Sequence, residues 1–207
     1  MLNFFPFVRS PATALKPNWR FLLTTLMVAF ALGLYFIISL HPFSPPKLVT
    51  MPAWVPFWPV FTLPYLGMLV VAALLPGTIQ DPRRFRACVI GIVCAFIMVL
   101  PAWIFLPTEL HRPPTPDGWW AAPYRWLAAI DPPRCIMPCA HGIGASVGVW
   151  FVGIERPRWR FQLGALLVIG ISSIALIGQH RPIDILLGTV AAIIGIVLGE
   201  TFSARRP

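Results

Sequence analysis

Residues 178–199 read GQHRPIDILLGTVAAIIGIVLG, and positions 183–199 of this stretch carry a single charge, at Asp184. Such a run is typical of a helix that crosses the hydrocarbon core of a bilayer, for which about 20 apolar residues are needed. His180 and Asp184 stand at its entrance, with three residues between them. Ionisable side chains at such a place are costly and usually functional. The stretch therefore predicts a spanning helix with a candidate site at one end.

The composition of the whole chain is that of an integral membrane protein. Of its 207 residues, 57% are hydrophobic and 11% are charged, and the mean hydropathy is +0.77. Besides 183–199, apolar segments occupy roughly 21–40, 57–76, 87–106, 140–154 and 161–178, of which 140–154 is the shortest. We therefore expect an all-α membrane protein in which residues 1–207 form one domain of six transmembrane helices.

The distribution of lysine and arginine between the loops indicates an orientation. Eleven lie before the first segment, after the last, or in the loops after the second and fourth: Arg9, Lys16, Arg20, Arg83, Arg84, Arg86, Arg156, Arg158, Arg160, Arg205 and Arg206. The other loops hold five: Lys47, Arg112, Arg125, Arg134 and Arg181. Because cytoplasmic loops are enriched in these residues, both termini are predicted to be cytoplasmic in a multi-pass protein of a cell inner membrane. The first segment is long enough to span and is expected to be retained.

Two segments outside the helices are predicted to lie at the membrane surface. Residues 1–20 mix aromatic and basic side chains, which suits the headgroup layer, although a loose tail explains them equally well. Residues 107–139 form a long non-cytoplasmic loop that leads into the candidate site, and 119–130 within it are apolar enough for a short helix, an aromatic anchor or a gate. The formal net charge of +9 is spread over short loops, so membrane lipids are the expected partners and nucleic acid is not.

Three sequence elements place candidate catalytic residues on the non-cytoplasmic face, toward the periplasm or the outside. They are Arg112-Pro113, Pro138-Cys139-Ala140-His141 and His180-x-x-x-Asp184. A neutral imidazole at His180 can attack phosphorus when a carboxylate such as Asp184 fixes its tautomer. His141 can protonate the leaving oxygen, and Arg112 can bind nonbridging oxygens with a planar, permanently charged fork. The elements predict covalent phosphoryl transfer with His180 as the nucleophile.

In this order, the elements resemble the type 2 phosphatidic acid phosphatase superfamily, whose motifs are Lys-x6-Arg-Pro, Pro-Ser-x-His and Ser-Arg-x5-His-x3-Asp. Pro107-Thr108 and Asp131 are similar to the branch that contains inositol phosphorylceramide synthases. The resemblance covers the whole chain. It implies a six-helix bundle that acts on a lipid phosphate at the outer face through a phosphohistidine. Water as the acceptor makes such an enzyme a phosphatase, and a lipid alcohol makes it a transferase.

The chain departs from the family pattern where phosphate-binding groups are expected. Four positions differ: Phe105 for the lysine, Ile174 for the arginine, Gly178 for a lysine frequent in the inositol phosphorylceramide branch, and Cys139 for the serine. Cys139 turns a hydroxyl contact to phosphate into a weak thiol contact. Arg181 or Arg134 is predicted to restore charge from another backbone position. Asp131 is predicted to accept hydrogen bonds near the site or to form a turn before two prolines.

Other interpretations of these residues remain open. The lost cations also suit a non-catalytic subunit that kept the fold within a larger membrane protein complex. A zinc site could be formed by Cys135, Cys139, His141 and His180, and its only support is the Cys-x3-Cys spacing. Alternatively, Cys135 and Cys139 could form a disulfide. The enzyme interpretation expects neither a metal nor a cofactor.

Small residues recur at helical spacing in two of the predicted segments. Gly144-x3-Gly148 lies in the fourth segment and Gly195-x3-Gly199 in the sixth. Such pairs let neighbouring helices approach closely. Both are therefore interpreted as packing sites.

Overall fold

The computed structural model describes residues 19–134 and 137–204. Within these ranges the chain forms seven α-helices: α1 Trp19–Leu40, α2 Thr62–Leu74, α3 Pro82–Phe105, α4 Ala122–Ile130, α5 His141–Glu155, α6 Arg160–Leu176 and α7 Pro182–Ala204. Two short strands are β1 Lys47–Thr50 and β2 Thr108–His111. The predicted surface segment 1–20 falls almost entirely outside the described residues, as do Arg205 and Arg206.

All six predicted segments are helical, and the all-α membrane class is confirmed. In the part of the chain that the structure describes, five helical segments are long and apolar enough to cross a membrane: Trp19–Leu40, Pro59–Thr78, Pro82–Phe105, Pro157–Leu176 and Pro182–Ala204. The second and fourth of these include short 3-10 turns at their ends. Six complete spans and the orientation of the termini stay predictions.

The fourth predicted segment, α5, lies inside the bundle and is shorter than the five segments that are long enough to span. It contacts α2, α3, α6 and α7, and Ile143, Val147 and Phe151 are among its buried side chains. At 1.5 Å per residue, its 15 residues cover about 22 Å, less than the roughly 30 Å of a hydrocarbon core. A helix enclosed by other helices can be short because protein rather than lipid surrounds its ends.

Glycines let α3 and α7 pack closely against each other. A Cβ atom on Gly195 would overlap the Gly91 carbonyl oxygen, and one on Gly199 would overlap the Ala87 carbonyl oxygen. The packing interpretation of Gly195-x3-Gly199 is confirmed. In α5, Gly148 packs on Pro76, whereas a Cβ on Gly144 would meet nothing within 4 Å. The prediction for Gly144 is wrong, because that position faces open space.

The loops predicted to be cytoplasmic meet at one end of the bundle. The Gln80 backbone N–H donates to Glu155 Oε1 at 2.8 Å, and Arg156 donates to the Thr78 carbonyl at 3.3 Å. These bonds join the loop after α2 to the loop after α5. His141 begins α5 and Glu155 ends it, so the candidate site and the basic loops lie at opposite ends of the same helix.

The proline-rich loops at the candidate-site end form a parallel strand pair that the sequence did not predict. β1 pairs with β2 in a register that joins Lys47 to Thr108, and the Leu110 N–H donates to the Pro133 carbonyl at 2.8 Å. Four-residue strands between prolines are too short for an alternating pattern to be recognised. The pair holds the start of the long loop, and therefore Arg112 directly after β2, against the rest of the bundle.

The short helix predicted within 119–130 is present. A 3-10 turn, Trp119–Ala121, continues into α4, on which Tyr124 and Leu127 are buried while Trp126 is exposed. One face therefore packs on the bundle and the other presents an aromatic side chain to the surroundings. The role of α4 as an anchor or a gate stays a prediction.

Candidate active site

The two histidines predicted to form the site are in direct contact. His141 is the first residue of α5, His180 lies just before α7, and 3.0 Å separates His141 Nδ1 from His180 Nε2. Tyr65 packs edge-on against His141, with ring centroids 5.5 Å apart. A hydrogen bond between two ring nitrogens needs one proton and one lone pair. In this arrangement the facing nitrogens therefore share a single proton.

The turn that presents His180 is built on Gly178. Gly178 follows the end of α6 with a φ of 68°, the left-handed conformation that glycine adopts most readily at a helix C-terminus. A Cβ atom there would also lie 3.2 Å from Pro113 Cδ. The backbone N–H groups of Gln179 and His180 both donate to the Ile174 carbonyl, at 3.0 and 3.4 Å. Backbone geometry thus explains why a lysine is absent from position 178.

Asp184 caps the helix that follows His180. α7 begins at Pro182, as predicted, and the buried Asp184 carboxylate accepts a hydrogen bond from the Arg181 backbone N–H at 2.9 Å. Its two oxygens also accept from Arg181 Nε at 3.0 Å and from a terminal guanidinium nitrogen at 2.8 Å. The carboxylate raises the pKa of Arg181 through this hydrogen bond. A role for Asp184 in fixing the His180 tautomer stays a prediction.

Cys139 is buried where the segment before α5 crosses α7. Its backbone N–H donates to the Asp184 carbonyl at 2.9 Å, and its Sγ lies 4.0 Å from His141 Nδ1. Burial raises the pKa of the Cys139 thiol to about 12, so the thiol is protonated at neutral pH. A phosphate-binding role for the thiol stays a prediction.

Arg112 joins the long loop to the histidine turn. Its guanidinium donates to the Asp131 carbonyl at 2.7 Å, to Asp131 Oδ2 at 2.8 Å and to Gln179 Oε1 at 2.6 Å. Tyr35 donates to Asp131 Oδ1 at 2.7 Å, which confirms the prediction that Asp131 accepts hydrogen bonds near the site. Gln179 is a site residue that the sequence motifs do not include. The sequence feature that could have identified Gln179 is its position, as a polar residue between the apolar α6 segment and His180.

Three arginines at this end of the bundle are neutralised by carboxylates. They form the ion pairs Arg112–Asp131 at 2.8 Å, Arg181–Asp184 at 2.8 Å and Arg134–Glu109 at 2.9 Å. Restoration of a phosphate-binding cation by Arg181 or Arg134 stays a prediction. Either arginine would have to bind phosphate while it is also paired with its carboxylate. These described pairs therefore add no net charge around the histidines.

Phe105 and Ile174, which differ from the motifs of the phosphatase superfamily that the sequence resembles, have contrasting surroundings. Phe105, in place of the lysine, is 73% exposed at the end of α3 and faces away from the protein interior. Ile174, in place of the arginine, is fully buried in an apolar cluster with Tyr65 and Met68. An exposed aromatic ring suits a lipid-facing surface, and an isoleucine suits an apolar core.

Cys139, His141 and His180 could together hold a metal ion. One ligand atom of each lies within 4.8 Å of the other two. Zinc binds thiolate at about 2.3 Å and imidazole at about 2.0 Å, so small shifts would complete three of four tetrahedral positions. The thiol would first have to lose its proton. Cys135, the fourth predicted ligand and the predicted disulfide partner of Cys139, lies outside the described residues, so both interpretations stay predictions.

No protein-family model, curated protein or solved structure matches the chain. The resemblance to the phosphatase superfamily therefore rests on the motif residues quoted above.

Proposed function

We propose that the protein is a membrane enzyme that removes or transfers a phosphoryl-linked group on a lipid, with His180 as nucleophile and His141 as general acid. The observation that carries the proposal is the 3.0 Å contact between His141 Nδ1 and His180 Nε2. Arg112, from a third chain segment, is bonded to the residue before His180. Titratable side chains that converge in this way at a buried place are typical of active sites.

The reaction has two steps. His180 Nε2 attacks the phosphorus, the bond from phosphorus to the leaving oxygen breaks, and that oxygen takes a proton from His141. The products are a phosphohistidine at His180 and a protonated leaving group. In the second step, water or a lipid alcohol gives a proton to His141 and attacks the phosphorus, which breaks the nitrogen–phosphorus bond and restores both histidines.

The histidine contact represents the resting form of this site. In-line attack needs roughly 3 Å from the nucleophile to the phosphorus, and the leaving oxygen needs its proton donor within roughly 3 Å on the far side. A direct contact of 3.0 Å leaves no room for a phosphoryl group between the nitrogens, so substrate entry must separate the rings. In the reactive form His141 is an imidazolium with protons on both ring nitrogens, the shared one on Nδ1, and His180 Nε2 carries the lone pair.

The surroundings of the histidines favour an amphiphilic substrate. The site lies at one end of a bundle that contains at least five apolar helices, and exposed tryptophans such as Trp119 and Trp126 lie on the loop at that end. Candidate substrates are phosphatidic acid, an isoprenyl diphosphate, phosphatidylglycerol phosphate or a phosphoinositol donor. In the proposed topology the site faces the periplasm or the outside of an inner membrane.

The acceptor separates a phosphatase from a transferase of the inositol phosphorylceramide or sphingomyelin synthase type. His180 is 4% exposed, which limits the access of water to the phosphohistidine. This observation favours transfer to a lipid alcohol held in the site. Adding ceramide, diacylglycerol or a sugar to the reaction and looking for new phospholipid products decides between the two.

The proposal is tested with the purified wild type and with His180→Asn and His141→Asn. We expect the wild type to cleave at least one lipid phosphate. His141→Asn should lower turnover by about 100- to 10,000-fold, the usual contribution of a general acid, and His180→Asn should abolish it. His41→Asn, at an exposed loop histidine, is the matched control and should be active. Equal turnover in His180→Asn and wild type would overturn the assignment.

The neutralised arginines favour one further candidate, a non-catalytic lipid-binding subunit of a membrane complex. Its expected outcome in the same assay is different. Every lipid phosphate would stay intact in the wild type while the protein co-purified with partners in a fixed ratio.

A further inference from the structure

Arg112 fixes the orientation of the Gln179 amide. A guanidinium carries only hydrogen-bond donors, so the 2.6 Å contact with Arg112 requires the Gln179 oxygen rather than its nitrogen. The NH2 group must then face away from Arg112. Gln179 is 2% exposed, and its Nε2 has no hydrogen-bond partner among the residues that the structure describes.

Among the other buried donor atoms in this situation, two bear on the same site. Arg112 Nε and Tyr124 Oη also lack a partner within residues 19–134 and 137–204, and Tyr124 is 1% exposed. Tyr124 packs edge-on against Phe57, with ring centroids 5.1 Å apart, and a Cβ atom on Gly178 would lie 3.8 Å from Phe57 Cδ2, so Phe57 links Tyr124 to the Gly178 turn. Buried donors without acceptors are unfavourable, and oxygens of a bound anion would satisfy them.

The charge around these donors sets the charge of the anion. Asp131 neutralises Arg112, and Asp184 neutralises Arg181. A phosphodiester carries one negative charge, whereas a phosphomonoester carries about 1.5 to 2 at neutral pH. The protonated His141 balances one negative charge on the bound phosphate. A second negative charge on the phosphate would have no counterion there, because Arg112 and Arg181 are already paired with carboxylates.

We propose that Gln179 and Tyr124 bind the nonbridging oxygens of a singly charged phosphodiester, and that the site therefore selects a lipid phosphodiester over a lipid phosphomonoester. Gln179 donates through Nε2 and Tyr124 through its hydroxyl. Arg112 acts mainly as a positioning residue, because its bond to Oε1 holds the amide. The substrate class rests on the proposed function.

The test compares phosphatidylglycerol with phosphatidic acid of the same acyl chains. Two quantities are measured for each lipid: kcat/KM, and the rise in melting temperature of the detergent-solubilised protein. We expect the wild type to favour the diester by about 10-fold or more, the scale of one charge left unbalanced. Gln179→Glu retains an oxygen for Arg112 but loses the donor, and should lower kcat/KM for the diester by about 10- to 100-fold. Gln162→Glu, at an exposed glutamine on α6, should have no effect.

A charge variant separates this role from a merely structural one. Asp131→Asn leaves the Arg112 cation unbalanced, and should shift the preference toward phosphatidic acid by about 10-fold. If Gln179→Glu fails to fold, Tyr124→Phe removes one proposed donor and should raise KM for the diester.

The outcomes distinguish this inference from the proposed function. A wild type that cleaves phosphatidic acid at least as well as phosphatidylglycerol overturns the diester selection and leaves the histidine chemistry intact. If neither of these two lipids is cleaved, the proposed function is decided with its other candidate substrates, and a diester-specific rise in melting temperature that Gln179→Glu removes supports the binding role. Equal melting temperatures with and without both lipids would overturn it.

Discussion

Gly188 lies so close to Cys139 that a Cβ atom on residue 188 would overlap the Cys139 carbonyl oxygen. One turn earlier on α7, the Asp184 carbonyl accepts a hydrogen bond of 2.9 Å from the Cys139 N–H. The segment before α5 therefore rests directly on the backbone of α7. This contact brings His141 within hydrogen-bonding distance of His180.

Replacing Gly188 with alanine should separate these two segments. The added methyl group meets a backbone carbonyl rather than a flexible side chain, so the destabilisation should be about 1–3 kcal/mol, as for overpacked cores. Turnover should fall because the histidines lose their alignment. Gly164→Ala is the matched control, since a Cβ there meets nothing within 4 Å. Denaturation and lipid cleavage are measured for both, and a fully active, equally stable Gly188→Ala would contradict the prediction.

Replacing Arg112 with lysine should weaken substrate binding although the charge is kept. A single ammonium group cannot reproduce the planar set of bonds to the Asp131 carbonyl, the Asp131 carboxylate and Gln179. We expect KM to rise, with kcat/KM reduced by about 10- to 100-fold. Arg125→Lys, at an exposed arginine on α4, should keep its activity. If the two variants have the same kinetics, Arg112 does not organise the site.

The shared proton of the histidine pair predicts an acidic limit to activity. As the pH falls below neutral, a second proton takes the lone pair from the facing nitrogens, which removes the nucleophile and breaks the contact. Turnover should therefore be high at neutral pH and fall toward pH 5. A pH–rate profile measures this limit, and a rate that rises on acidification would contradict the shared-proton arrangement.

Zinc should inhibit the enzyme by occupying Cys139, His141 and His180. Because burial raises the pKa of Cys139 to about 12, the metal must displace a proton, so inhibition should strengthen as the pH rises from about 6.5 to about 8.5. Cys139→Ser should shift the inhibitory concentration upward relative to its own uninhibited rate. Activation by zinc, or loss of activity on dialysis against a chelator, would instead indicate a metal-dependent reaction.

The sequence predicted the helices more completely than the details of the site. Apolar length gave six helical segments, and Pro182 marked the start of α7 because proline suits a first helical turn. The charge count placed His141 and His180 on one side, and they are in contact. The bond from Arg112 to Gln179 was not predictable, because it depends on the left-handed Gly178 turn and on the strand pair that positions the long loop. Gly188, which sets the contact with Cys139, has no second glycine four residues away, so the Gly-x3-Gly pattern did not single it out.

Trapping the covalent intermediate tests the central claim most directly. The wild type is incubated with a lipid labelled at phosphorus, quenched in alkali to preserve an acid-labile nitrogen–phosphorus bond, and digested for mass spectrometry. The account predicts label on the peptide that contains His180, with none on that peptide in His180→Asn. Turnover of the lipid without label at His180, or label that persists in His180→Asn, would contradict it.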